Sequence, residues 1–308
     1  MEKLTFLKLA EILMIEEKRP LSPMEIWELA KIKGYDKQVG TQGKTPWQTI
    51  GALIYINIRD NPKSVFVKIK SKPTKFYLKE LVSQDEITKI ENKEKNLSQP
   101  AQSKLKERDL HPFLAYYAYT YMLVYTKTIY HEKSNKKSYS QWLHPDMVGV
   151  YFPIGEWTSE VLDFSKELGS TALKLYSFEL KQQLDFTNLR EAFFQTVSNS
   201  SWANEAYLVA AEINADEDFR NELKRLSSSF GIGIISLNIE DPDATEVLFP
   251  AKYRSELDWD NMNKLANENP DFGDFLVRVR KDFVGNEIWK EQYDKVIEPG
   301  DLTKCIRK

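Results

Sequence analysis

Apolar residues return every three or four positions at the start of this chain. Leu4, Phe6, Leu7, Leu9, Ala10, Leu13 and Met14 share one helical face. Ser22-Pro23-Met24-Glu25 predicts a second helix: Ser caps it, Pro fills its first turn and Glu stands three residues on. That helix carries Ile26, Trp27, Leu29 and Ala30 and stops at Gly34. Thr45-Pro46-Trp47-Gln48 repeats the start and opens a helix through Ile50, Leu53, Ile54 and Ile58. The period then changes to two: residues 65–69 and 75–78 alternate around a turn at 70–74, as a β-hairpin does. Three helices and a hairpin predict a winged helix-turn-helix over residues 1–80. Residues 81–105 are polar, with Lys and Glu interleaved, and read as a linker.

From 106 to 308 helical and strand patterns alternate, which predicts an α/β domain with a helical tail. Residues 110–128 read as one helix, with Phe113, Tyr116, Tyr117, Tyr119, Tyr121 and Tyr125. That is more aromatic surface than one buried stripe needs. Either the helix packs between sheet and linker, or part of it meets a second subunit. Strands are expected at 146–152, 173–181, 206–211 and 231–237, and helices at 188–197 and 218–228. Trp289 and Tyr293 suggest that the tail docks.

Composition narrows the class. A chain of 308 residues has room for two domains, and 42% hydrophobic residues support real cores. No apolar run approaches 18 residues, so no membrane partner is expected, and the acidic amphipathic N-terminus is no signal peptide. A single cysteine, Cys305, rules out an internal disulfide and a cysteine metal cluster and points to the cytoplasm. The net charge of −3 does not advertise nucleic acid, but its distribution is uneven. The hairpin carries Lys63, Lys68, Lys70, Lys72 and Lys75 before the acid at Glu80. Such a wing suits a sugar-phosphate backbone, or it is a solvated charge run.

The candidate chemistry lies in 173–181. On a strand, Tyr176, Phe178 and Leu180 point one way, and Ser177, Glu179 and Lys181 the other. Pro145-Asp146 places a second carboxylate at the mouth of another apolar strand. Two carboxylates and a lysine brought together can hold a divalent metal and activate water on a phosphate, which suggests a nuclease. The plainer alternatives are an exposed ion pair for Glu179 and Lys181 and a turn residue for Asp146. Glu-x-Lys also occurs at Glu16, Glu91 and Glu222, but in helical or linker patterns where residues two apart diverge.

Two resemblances add to this. Thr5-Phe6, Lys18-Arg19-Pro20-Leu21, Glu25-Ile26, Gly43-Lys44-Thr45-Pro46 and Lys75-Phe76-Tyr77-Leu78 resemble the HARE-HTH domain, a winged-helix module of chromatin regulators and restriction enzymes. The resemblance implies binding of duplex DNA, with sensitivity to base modification as one property of the module. Lys44, Thr45 and Gln48 would stand at a helix N-terminus that favours phosphate, with Gln48 and Tyr55 or Asn57 at base edges. Pro145-Asp146, Ser177-Phe178-Glu179-Leu180-Lys181, the stretch from Phe194 through Gln195 and Asn199 to Trp202, and Gly231-Ile232-Gly233 resemble a PD-(D/E)xK nuclease of restriction type.

That second resemblance implies Mg²⁺, with Mn²⁺ as a substitute, held by Asp146, Glu179 and the carbonyl of Leu180. Lys181 would position or deprotonate the attacking water, or stabilise charge on the phosphate. Gln195 would lie near metal or phosphate, or else serve as a cap or a buried hydrogen-bond partner. Glu107 or Asp109 could add a further acid, or simply stand at a helix start. His111, His131 and His144 show no ligand spacing; His144, beside Pro145-Asp146, could approach DNA or be structural.

The expected function is a Mg²⁺-dependent endonuclease of restriction or defence type acting on double-stranded DNA. Cutting both strands favours a homodimer, and restriction implies a cognate DNA methyltransferase. The alternatives are a DNA-binding regulator that keeps a nuclease fold as scaffold, and a nuclease specific for RNA or for DNA structure.

Overall fold

The computed structural model describes residues 4–39, 46–69, 74–81, 106–134, 144–167, 173–298 and 301–302. The chain divides into two units, Met1–Lys104 and Leu105–Lys308. The linker expected at 81–105 lies, from residue 82 on, outside the described residues, as do Lys44, Thr45, Lys70, Lys72 and the side chain of Gln48.

In the first unit, α1 (Phe6–Glu17) starts where the Thr5 hydroxyl accepts the Lys8 N–H. Helix α2 (Pro23–Lys33) carries the full reciprocal cap: Ser22 Oγ accepts from Glu25 N–H, and Glu25 Oε2 accepts from Ser22 N–H at 2.8 Å. It ends at Gly34, whose φ of 78° is the left-handed conformation glycine adopts freely. A short helix not foreseen, α3 (Asp36–Val39), precedes α4 (Pro46–Asp60). Strands β1 (Phe66–Ile69) and β2 (Lys75–Leu78) form the hairpin, with Phe66 opposite Leu78. Leu21 exchanges two backbone hydrogen bonds with Phe76 and so ties the chain before α2 to the hairpin. Leu9, Leu13, Ile26, Ile50, Ile54, Phe66 and Phe76 share one buried core.

Glu25 does more than cap. It also pairs with Arg19 at 2.8 Å and with Lys75 at 3.2 Å, which draws one wing lysine inward. Burial opposes its charge, but the bonds from Ser22, Arg19 and Lys75 outweigh it and hold its pKa down at about 2. Glu25→Ala is expected to cost the unit about 1–2 kcal/mol at pH 7. The folded pKa is depressed, so this contribution exists above the ordinary carboxylate pKa and fades as pH falls toward 2. Urea melts at pH 7 and pH 3 check it; an equal deficit at both would refute the electrostatic part.

The second unit is built on a six-stranded sheet in the order β3 (Val124–Thr128), β4 (Met147–Tyr151), β5 (Lys174–Leu184), β6 (Glu205–Ile213), β7 (Gly233–Ser236) and β8 (Glu246–Phe249). β3, β4 and β5 run antiparallel in turn, β5, β6 and β7 run parallel, and β8 turns back. The two parallel crossovers are made by α7 (Leu189–Ser198) and α8 (Glu217–Phe230), whereas α6 (Ser159–Glu167) lies between the antiparallel β4 and β5. The helix expected at 110–128 is shorter: α5 spans His111–Met122. Leu123 takes the left-handed conformation at φ 57° and ends it, and Val124–Thr128, with its alternating burial, leaves as β3.

Helix α5 covers one face of the sheet, where Phe113, Leu114 and Tyr117 meet Met147, Phe178 and Leu180. Tyr116 and Tyr121 both donate to Asp243 Oδ1, so their hydroxyls find an acceptor in the core margin. The other face carries two clusters. One joins β4 and Leu175 to Trp202, α9 (Trp259–Glu268) and α10 (Pro270–Gly285); the other joins β6 and β7 to α7 and α8. Trp202 is fully buried against Phe272, and its Nε1–H donates to Asn199 O. Gly149, on β4, has no room for a side chain, since a Cβ would come 2.6 Å from Val124 and 3.0 Å from Phe178. Gly149→Ala is therefore expected to destabilise the unit by about 1–3 kcal/mol in thermal or urea unfolding. A variant as stable as the parent would show that β3 yields freely.

Candidate active site

The three charged residues are brought together by strand register. β4 pairs with β5 through Met147 opposite Phe178, so one step further Asp146 stands opposite Glu179 and Pro145 opposite Leu180. A residue paired across an antiparallel ladder offers both its N–H and its C=O to the partner. Pro145 has no N–H to return to the Leu180 carbonyl. The Leu180 N–H is taken instead by Asp146 Oδ2 at 2.7 Å. The ladder thus ends with a carboxylate held against β5 and a main-chain carbonyl at the same edge.

Glu179 is 1% exposed, and Lys181 Nζ reaches its Oε1 at 2.9 Å. Asn199, just past α7, donates through Nδ2 to Glu179 Oε2 at 3.3 Å and to His144 O at 3.2 Å. Glu107 Oε2 stands 3.9 Å from Lys181 Nζ. Asp109 instead accepts the Lys106 N–H and closes its own turn. Of the two acids expected before α5, the structure brings Glu107 to the site and leaves Asp109 as a local cap.

The electrostatics follow from burial. Burial first, and the Asp146 charge second, push the Glu179 carboxyl up to about 8, although Lys181 and Asn199 pull the other way. Burial alone would raise Asp146 too, but His131, the Leu180 N–H and the Lys181 charge hold it below the ordinary carboxylate range. Burial disfavours the Lys181 ammonium, yet Glu179, Asp146 and Glu107 outweigh it and raise its pKa. Glu107 is raised, mainly by burial. Two like charges and one amine in a near-dry seam leave the site short of positive charge.

Each oxygen of Asp146 and Glu179 carries one protein donor at normal length, leaving acceptor capacity on every one. That donor set, with the Leu180 carbonyl beside it, fits a small hard cation that keeps most of its waters. Among the described residues no group of three or more His, Cys, Asp or Glu side chains stands at metal-holding geometry, so the side-chain donors here are the two carboxylates.

The remaining expectations fare unevenly. Gln195 is half-buried on α7, one turn before Asn199, and accepts the Asn199 N–H through its backbone carbonyl. It is the Asn199 amide, which the sequence suggested only as a helix terminator, that reaches Glu179. His144 does not face DNA: its ring is fully buried, without a hydrogen-bond partner, near Phe272, and burial lowers its pKa to about 4. His111 is also buried, 3.1 Å from the Thr128 hydroxyl, and burial lowers it to about 4.

In the first unit Lys63 is exposed after α4, and Lys68 lies over the Tyr55 ring at 5.2 Å. Tyr55 packs edge-on against Phe76, and Asn57 Oδ1 accepts from Ser64 Oγ at 2.7 Å. Both side chains hold helix to hairpin, so the suggestion that they read bases gives way to a structural role. Residues 4–78 match the HARE-HTH family, whose description names the ASXL and restriction endonuclease HTH domain. The match suggests DNA binding, which gives the wing lysines a partner class. No curated protein and no solved structure matches the chain. Among the described residues no helix is long and apolar enough to cross a membrane.

Proposed function

We propose that this protein is a Mg²⁺-dependent DNA endonuclease of restriction or defence type, in which the HARE-HTH unit selects duplex DNA and the second unit cuts it. The observation that carries the reading is the convergence of Asp146, Glu179 and Lys181 at the end of one ladder. An acid at the mouth of one strand beside Glu-x-Lys on the next is the arrangement that the resemblance to PD-(D/E)xK nucleases implies. In this reading Asp146, Glu179 and the Leu180 carbonyl hold the cation, for which Mn²⁺ can substitute. When bound, the metal polarises the scissile phosphate and acidifies a water.

The chain's own residues do the rest. Lys181, protonated at neutral pH, donates to the attacking water or to a phosphate oxygen as negative charge builds. Asn199 keeps Glu179 turned toward Asp146. Glu107 balances the Lys181 charge and keeps the amine within the site. Lys63 and Lys68 contact the phosphate backbone, together with Lys44, Thr45, Gln48, Lys70 and Lys72. A second copy of the chain supplies the cut on the other strand, and a cognate methyltransferase would mark the host DNA.

The test is cleavage of plain and cytosine-modified plasmid by the full chain, with Mg²⁺ and with chelator. Chelator-sensitive cutting that Lys181→Ala removes supports the enzyme. Salt-sensitive DNA binding without any cutting, on either substrate, would leave a binding regulator on a nuclease-like scaffold.

A further inference from the structure

His131 has no role in the reading above, yet it touches its centre. Past the last ladder pair, Thr128 opposite Met147, the Ile129 N–H still donates to Asp146 O at 3.0 Å. That extra step sets the turn at 131–133 beside the Asp146 side chain. His131 Nε2 stands 3.3 Å from Asp146 Oδ1. An ionised carboxylate only accepts, so Nε2 is the donor, and Nδ1, buried and without a partner, is left with its lone pair. Asp146 Oδ2 already accepts the Leu180 N–H. Two donors from two different strands therefore fix the plane of this carboxylate.

The turn that carries His131 is itself held from a distant part of the chain. Asn269 Nδ2 donates to Tyr130 O at 3.1 Å and to Ser134 Oγ at 2.8 Å. Asp271 accepts the Tyr130 N–H at 3.1 Å and the Lys133 ammonium at 2.7 Å. Asn269 caps α10 as well, through the Asp271 and Phe272 N–H groups, and both acceptor residues are buried. These bonds secure the turn without any help from the imidazole. The turn needs no histidine for its own stability; the ring's hydrogen-bond partner is Asp146.

We infer that His131 is a positioning residue that presents the Asp146 carboxylate to a divalent cation, with the start of α10 as its anchor. The inference rests on the metal reading of the site and deepens it. A carboxylate free to rotate must be ordered when the cation arrives, and its lone pairs are misaimed for part of the time. A donor behind the ligand removes that cost, and loss of such outer partners usually weakens metal binding by about 10–100-fold.

The experiment is calorimetric titration of the full chain with Ca²⁺, without DNA, on wild type, Asp146→Asn, His131→Asn and His131→Gln, each checked by thermal melting. Gln Nε2 stands as many bonds from the backbone as His Nε2, whereas the Asn amide falls one bond short. We expect Asp146→Asn to abolish binding, His131→Asn to weaken it about 10–100-fold and His131→Gln to stay within about threefold of wild type. Should His131→Asn fail to fold, His131→Phe removes the same donor. Wild-type affinity in the donor-less variant, or equal losses in the Gln and Asn variants, with Asp146→Asn still defective, overturns the positioning role and leaves the metal site standing. A wild-type chain that takes up no Ca²⁺ at millimolar concentration overturns the metal reading and this inference with it.

Discussion

Lys181→Ala is expected to leave supercoiled plasmid essentially uncut, with a rate about 10³-fold below wild type. The expectation follows from where the amine sits. Lys181 Nζ is 2.9 Å from Glu179 and 3.9 Å from Glu107, and its side chain is only 16% exposed. Three acids raise its pKa in spite of burial, so in the free chain it stays charged across the range in which cutting would be assayed. That argues for the role of charge donor and against the role of base that deprotonates water. No loss of cutting as pH rises from 7 to 9 should then trace to this residue. DNA affinity and its salt slope should remain with the HARE-HTH unit, because the substitution lies in the other unit. Undiminished cutting by purified Lys181→Ala would remove Lys181 from the mechanism. Cutting that persists equally in Asp146→Asn and Glu179→Gln would point to a contaminant.

The parts of this site that could be read from the sequence are those set by local pattern. Alternation along 173–181 placed Glu179 and Lys181 on one face, and the structure puts them 2.9 Å apart. Ser-Pro-x-Glu at residues 22–25 encodes a cap that forms in full. Pro145 was legible as a strand start, but not as the residue whose missing N–H leaves the Leu180 carbonyl unclaimed by β4.

What stayed hidden depends on contacts across the sheet or on unusual backbone. His131 and Asn199 reach the two carboxylates from 15 and 20 residues away, across strands, where no spacing rule applies. The anchor of His131 in α10 is more distant still, 139 residues along the chain from Tyr130 to Asn269. Leu123 ends α5 in a left-handed conformation that a leucine seldom adopts, so neither glycine nor proline announced the break. Helix and strand patterns merged there into one long aromatic run. Glu246–Phe249 went unseen as a strand because its burial does not alternate.

Glu179→Gln is expected to make the second unit more stable at pH 8 while it removes cutting. Burial and the neighbouring Asp146 raise the Glu179 pKa to about 8, so the folded chain holds a proton there that the unfolded chain releases near the ordinary value of 4.5. The sign follows: between those two pH values the unfolded state binds fewer protons, and stability falls as pH rises. Glutamine removes this penalty but leaves Lys181 with Asp146 and Glu107 alone, so the net gain is about 1–2 kcal/mol at pH 8 and near zero at pH 5. Thermal melts of both proteins across pH 5–9 measure it. Ca²⁺ should reverse the order. A cation bound by both carboxylates stabilises wild type by about 2.7 kcal/mol at one hundred times its dissociation constant and leaves the Gln variant nearly unmoved. The same binding should release protons at pH 7, since Glu179 must ionise to take part. A variant less stable than wild type at every pH, with no cation-dependent gain in either protein, would show that Lys181 alone balances the pair and that no metal belongs between these carboxylates.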